Sequence, residues 1–227
     1  MGDFTGIYGL PEAGQYLYIT SPKRPPDYRT VHRWVRSGLP KSEIRDVPAS
    51  ELFLNFEDLV SLRMIVALRS AGFSLQHIKK VDEWLRKVTG YHHPFAMKDL
   101  WISDTEIFVE MAGKLSATRQ GQYAMDFITR WLRQIRRPIN GTIDLTFKKS
   151  DGNEIASSWT PHNLVVLDPL VQFGSPCLEH TRITTKGVWS MYIGGDRPEN
   201  IARDYGVPLA KIEAGIQWEE KIASIAR

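Results

Sequence analysis

Apolar positions recur at helical spacing through most of this chain, alternate in a few short stretches, and are punctuated by prolines and glycines. The clearest unit is Tyr28 to Gly38, Y-R-T-V-H-R-W-V-R-S-G. At 100° per residue Val31, Trp34 and Val35 fall on one side, and Arg29, Arg33 and Arg36 fall within roughly 60° of each other on the other. Asp27 is placed to accept from the first-turn N–H groups, and Gly38 to end the helix in the left-handed conformation. Upstream, Pro11 and Glu12 suit a first turn, and Leu10, Ala13 and Leu17 make one buried stripe, so a short helix starts at Leu10. Ser21, Pro22, Pro25 and Pro26 break the chain between the two. Helix, loop and helix within about 27 residues is the layout of a helix-turn-helix, whose second helix enters the major groove.

After Gly38, the segments 39–44 and 52–54 read as two short extended pieces around a turn, a small wing, with its prolines restricting pairing to an edge. Asn55 caps the next helix, with Asp58 in its first turn, Leu54 and Leu59 as a hydrophobic staple, and Leu62, Ile65, Val66 and Leu68 continuing the stripe to Ala71-Gly72. Ser74 caps a further helix through Leu75, Ile78, Val81, Leu85 and Val88 to Gly90. Tyr91-His92-His93-Pro94 marks a break. Asp99–Ile102 and Glu106–Met111 read as a hairpin, Gln120–Ile135 as a helix, Thr142–Lys148 as a strand, and 149–163 as a polar loop with a turn at Ser150–Asn153. Arg130, Arg133, Arg136 and Arg137 end that middle helix, where the helix dipole alone favours cations. Leu164–Leu167 is a short buried strand ended by Asp168-Pro169, Gly174 and Pro176 fix a tight loop, and Thr181–Ile183 returns to extended chain. Asp196–Glu199 has the spacing of an N-terminal helix box, Tyr205–Val207 a turn, and Pro208 opens a last helix.

The fold class expected is mainly α with small β elements (α+β). Three units are expected: a winged helix-turn-helix over 1–90, a small α/β middle module over 91–163, and a three-helix, helix-turn-helix-like domain over 164–227. With 227 residues, 42% of them hydrophobic, the chain has ample material for packed cores. No apolar run approaches the ~18 residues needed to cross a bilayer, and the first twenty lack the layout of a signal peptide, so a cytoplasmic protein is expected, with no membrane partner. The lone Cys177 cannot form an internal disulfide and reads as a buried small hydrophobe.

The net charge of +3 is too small to argue from until it is divided. Residues 1–90 carry 13 Lys/Arg against 10 Asp/Glu, 91–163 carry 9 against 8, and 164–227 carry 7 against 8. Within 21–45 there are seven cations (Lys23, Arg24, Arg29, Arg33, Arg36, Lys41, Arg45) and two acids (Asp27, Glu43), the local footprint expected of a nucleic-acid-binding surface. Lys41 and Arg45 fit either a wing on the DNA backbone or an ordinary charged surface. The last helix offers only Lys211 before Glu213, Glu219 and Glu220, and phosphate repels such a face, so the C-terminal domain is assigned to protein contacts. Trp189, Tyr192, Ile216 and Trp218 read as core, with any that stay exposed open to a partner.

The order L-P-E-A (Leu10–Ala13), Y-R-T-V-H-R-W-V-R-S-G, then F-E-D-L-V-S-L-R-M-I-V-A-L-R-S-A-G-F-S-L-Q-H-I (Phe56–Ile78) resembles the winged-helix DNA-binding domain of MerR-type regulators. The resemblance implies that Arg29, Thr30, Arg33 and Arg36 read the major groove. It also implies that Lys41 and Arg45 grip phosphates from the wing, with Lys23 and Arg24 of the preceding loop beside them. The sensor cysteines and long dimerisation helix of that family are missing, so no effector is expected. The C-terminal run of strand, D-P, G-x-P, T-R-I and I-A-x-D-Y-G-V (Ile201–Val207) resembles a small domain of formerly unknown function found in VapB-class antitoxins, whose partners are PIN-type ribonuclease toxins. That domain usually has glycine just before T-R-I; here it is His180. Together the two resemblances imply an antitoxin of a type II toxin-antitoxin system. It would neutralise its toxin through residues the sequence does not identify, and bind double-stranded operator DNA as a homodimer to repress its own operon. The alternative is a free-standing MerR-like transcriptional regulator with no toxin partner. Adjacent His92 and His93 lack the further ligands a metal site needs, so neither metal nor cofactor is expected. No paired carboxylates with a supporting motif, nucleophile elbow or phosphate loop argues for an enzyme, and Gly194-Gly195-Asp196 is explained by helix capping.

Overall fold

In the computed structural model, residues 6–21, 26–40, 52–70, 72–102, 144–150 and 152–225 are described. Strand β1 (Tyr8–Gly9) leads directly into α1 (Leu10–Thr20), which has Pro11 in its first turn. α1 buries Leu10, Ala13 and Leu17 as the spacing required, together with Tyr16. It packs on α2 (Tyr28–Arg36). Strand β2 (Phe53–Leu54) pairs antiparallel with β1, Tyr8 opposite Leu54 and Gly9 opposite Phe53. The second extended piece expected, at 52–54, therefore pairs with a strand preceding α1, which the sequence reading did not anticipate. Lys23, Arg24, Lys41 and Arg45, the segment 41–51, Glu106–Met111 and the helix expected at Gln120–Ile135 lie outside the described residues.

α3 (Phe56–Ser70) opens on a reciprocal cap: the Asp58 N–H donates to Asn55 Oδ1 at 2.7 Å and the Asn55 N–H to Asp58 Oδ2 at 3.2 Å. Leu54 and Leu59, the staple pair, are both buried. α4 (Leu75–Thr89) begins at Ser74, whose side chain accepts from His77 N–H, and ends on the left-handed Gly90. A 3-10 turn over Pro94–Ala96 follows, wholly buried.

Two expectations fail here. Asp99–Ile102 is a single helical turn, α5, not a strand. The chain touches the sheet edge one step earlier, where Lys98 N–H donates to Glu154 O at 2.8 Å, and then turns so that Leu100 and Trp101 both pack inward. The stretch 149–163 is mostly strand, not loop: β3 (Leu145–Ser150) and β4 (Asn153–His162) form a hairpin closed by the pair Ser150 and Asn153. Its serines and threonines disguised it. Ser157 is the extra residue of a bulge, and the Thr146 hydroxyl lies 3.0 Å from Ser157 Oγ and 2.6 Å from Ser158 Oγ on the open face, while Ala156 and Trp159 face the core.

β5 (Val165–Leu167) and β6 (Cys177–Leu178) complete a four-stranded antiparallel sheet in the order β3-β4-β5-β6. The expected tight loop is a 3-10 turn over Gln172–Gly174. Three helices follow: α6 (Thr185–Ile193), α7 (Pro198–Tyr205) and α8 (Leu209–Ile225). α7 is capped by Arg197 with no side-chain bond, so Asp196 does not open an N-terminal box. Its N–H is already spent on Met191 O, closing α6 behind the left-handed Gly195. The protein is mainly α with small β elements, and no described helix is long and apolar enough to cross a membrane.

The main core joins the front helices to the sheet and to Ala214 and Trp218 of α8. A second, smaller cluster of Leu178, Val188, Ile201, Ala202, Ile212 and Ile216 lies among the last three helices. Between α3 and the sheet, the Arg63 guanidinium lies 5.0 Å from the ring centre of Trp101 and 4.9 Å from that of Trp159. It pairs with Asp144 at 2.5 Å, and Asp144 also accepts from the Trp159 indole N–H at 3.0 Å. A cation held between two indole faces gains from both quadrupoles, and this clamp fixes α3 against the sheet.

Candidate nucleic-acid interface

α2 has the two faces its sequence requires. Val31, Trp34 and Val35 are buried, and Arg29, Arg33 and Arg36 are exposed. Both ends are tied. Asp27 accepts from Thr30 N–H at 2.6 Å, and this bond, with the fields of Arg33 and Arg29, holds its carboxyl below the ordinary range. At the other end, Leu39 N–H reaches Trp34 O and Gly38 N–H reaches Val35 O, with Gly38 at φ 81°, the paired bonds of a Schellman cap. Leu39 and Trp34 are both buried, which supplies the apolar contact that accompanies such a cap. Thr30 is half-buried at the far flank of the arginine stripe.

Three neighbours of the stripe were missed in the sequence. Lys79 of α4 is exposed and donates from Nζ to Ser37 O at 3.3 Å, bringing a cation to the C-terminal end of α2. Tyr28, 43% exposed, and His32 stand one turn apart on the other flank, their ring centres 6.0 Å apart. Periodicity gives no sign of Lys79, because its proximity depends on how α4 packs. Tyr28 and His32 could have been placed beside the arginines from the same helical projection.

The three rear helices, α6 to α8, differ from α2 in their surface. α8 buries Ile212, Ala214, Gly215, Ile216, Trp218 and Glu219, so one face of it is core. Lys211, its one cation near the start, donates to Glu179 O at 2.7 Å. Glu219 is buried and hydrogen-bonded by the Thr185 hydroxyl, and burial raises its carboxyl above the ordinary range. Of the four apolar residues singled out beside it, Trp218 and Ile216 are core, while Tyr192 is exposed and Trp189 is half-buried against it, ring centres 5.7 Å apart.

Cys177 is buried, and burial pushes its thiol up to about 11, which suits packing rather than nucleophilic attack. His93 is buried where α3, α4 and the Pro94–Ala96 turn meet. Among the described residues no group of three or more His, Cys, Asp or Glu side chains is arranged to hold a metal ion.

Two family models match parts of the chain. Residues 27–83 match the model described as "MerR HTH family regulatory protein", and residues 165–218 match "Protein of unknown function (DUF433)". A curated protein of Mycobacterium tuberculosis (strain ATCC 25618 / H37Rv), named "Putative antitoxin VapB45", is 24% identical over 226 residues, covering 88% of this chain and 88% of its own. Among solved structures, the crystal structure of Rv2018 from Mycobacterium tuberculosis has a similar fold, with a TM-score of 0.61 and 22% identity over 92% of this chain and 96% of that one.

Proposed function

We propose that this chain is a DNA-binding antitoxin that recognises its own operator through α2 and neutralises a PIN-type ribonuclease encoded beside it. The observation that carries the DNA half is the sidedness of α2: three exposed arginines on one face, a buried Val-Trp-Val stripe on the other, and both ends capped. Arg29, Arg33 and Arg36 reach guanine edges, Thr30 borders them, and Lys23, Arg24, Lys41 and Arg45 hold phosphates from the loop and the wing. One such domain binds weakly, so the working form is a symmetric dimer on a pseudo-palindrome, and occupancy of that operator represses transcription. The match to a MerR-type helix-turn-helix supports this assignment.

The toxin half rests on the likeness to the protein named as an antitoxin and on the charges of α8, among which Lys211 is bonded internally and Glu213 and Glu220 are exposed. The test is one set of variants read on both partners. The chain is co-expressed with the gene beside its own, and the complex is measured on operator and on random duplex. Arg33→Ala lowers operator affinity about tenfold or more, the worth of one bidentate guanine contact of ~1–3 kcal/mol, while random-duplex affinity changes far less and the partner still co-purifies. Equal losses on both duplexes would make Arg33 a phosphate contact. Failure of any partner to co-purify with the wild-type chain would leave a free-standing regulator.

A further inference from the structure

We propose that Tyr28 and His32 form an aromatic step on the reading face of α2 that recognises a thymine in the major groove through its C5-methyl group. This inference rests on the assignment of α2 to DNA and adds a second kind of base contact to it. Tyr28 is the first residue of α2 and is 43% exposed; His32 follows one turn later, partly exposed, with the two rings 6.0 Å apart and inclined by 37°. On the helical projection they lie roughly 40° apart on one side of the arginines, His32 roughly 40° and Tyr28 roughly 80° from Arg36, so the outer surface of α2 carries an aromatic ridge beside a cationic one.

The ridge is firmly based. The backbone of Tyr28 approaches α1 where Gly14 has no side chain: a Cβ added at Gly14 would stand 3.7 Å from Tyr28 Cα and 3.9 Å from its Cβ. The root of the tyrosine is therefore set by helix packing, and its ring leans on His32 rather than on the core. An aromatic ring left outside the core, on the helix flank beside the arginines assigned to guanine, matches the one apolar feature of the major groove, the thymine methyl.

The test uses duplexes from the promoter of the chain's own gene in which each thymine is replaced in turn by uracil, which removes the methyl and keeps every hydrogen-bonding group. The full-length wild-type protein is expected to lose affinity about fourfold at one position in each half-site, the worth of one methyl withdrawn from water. Tyr28→Ala binds the unmodified duplex with the same fourfold loss and no longer distinguishes thymine from uracil there, whereas Tyr28→Phe keeps the distinction and so controls for folding. Wild-type protein that binds the promoter specifically but ignores every thymine-to-uracil change overturns the aromatic step alone. A thymine preference that persists in Tyr28→Ala does the same. Failure of the wild-type protein to prefer the promoter over random duplex overturns the DNA assignment itself, and the aromatic step with it.

Discussion

His180 stands in the left-handed region, at φ 57°, with its side chain 85% exposed. A residue with a Cβ is strained there by about 1–2 kcal/mol, and an exposed imidazole whose nearest charge, Glu179 Oε1, is 3.9 Å away recovers little of that cost. The turn holds the backbone in place because Glu179 N–H donates to Leu164 O and Thr181 N–H to Leu178 O. His180→Gly is therefore expected to raise stability by about 0.5–1 kcal/mol, the strain relieved less the extra freedom glycine gives the unfolded chain. Urea denaturation of the two proteins decides it; a lower midpoint for the glycine variant would show that the imidazole makes contacts worth more than the strain. The strained position was visible in the sequence as a histidine where the resembled domain carries glycine. The faces of α2 were equally visible, because a periodic stripe of Val31, Trp34 and Val35 fixes by subtraction where the arginines point. Lys79 was not visible, since a contact between α4 and the end of α2 leaves no mark on either helix's period.

At the level of elements, α3, α4 and the turn after them meet on His93. Its Nδ1 is 3.6 Å from Asp58 Oδ1 and its Nε2 is 4.0 Å from Glu57 Oε2, while Arg86, paired with Asp82 at 2.6 Å, and His92 bring positive or protonatable groups to the same junction. Burial first, then the charges of Arg86 and His92, lower the imidazole to about 4. The two carboxylates oppose this, but Asp58 is engaged by the Asn55 N–H and Glu57 by the Tyr91 hydroxyl at 2.7 Å. The folded value lies below the ordinary 6.5, so between pH 6.5 and 4 the unfolded chain binds more protons than the native one and stability falls as pH falls. The loss attributable to His93 over that window reaches about 3 kcal/mol, and denaturation midpoints at pH 7.5 and 5 measure its upper part. His93→Asn should flatten the slope; an unchanged slope would assign the acid sensitivity to other groups. The helices of this junction were legible because Asn55, Asp58, Ser74 and Gly90 are capping residues in capping positions. The β3-β4 hairpin was not, because a bulge at Ser157 breaks its alternation and its exposed face is made of hydroxyls.

Across the whole molecule the cationic helix α2 and the rear helices are joined through α1. Its Tyr16 ring meets the Trp218 ring at 5.6 Å, the Tyr16 hydroxyl donates to Glu12 at 2.6 Å, and Glu12 pairs with Lys186 of α6 at 3.4 Å. A second tie runs from β1, where Ile7 N–H donates to Phe173 O at 3.1 Å and the Tyr8 ring occupies the space left by Gly174. The helix on which α2 rests is therefore braced by α8, and Trp218, 1% exposed between Tyr16 and the stacked His162 ring, is the largest piece of the brace. Trp218→Ala removes a fully buried indole and is expected to cost about 3–5 kcal/mol. Because Leu167, Trp218 and the front helices share one core, thermal unfolding should remain a single transition at lower temperature, and operator affinity near that temperature should fall with it. The comparison with Arg33→Ala separates the two causes: loss of the base contact proposed for Arg33 is expected to weaken operator binding without moving the melting temperature, whereas loss of the brace moves both. If Trp218→Ala instead melted in two steps, with operator binding persisting past the first, the N-terminal helices would be an independent unit and α1 would transmit nothing from one end of the protein to the other.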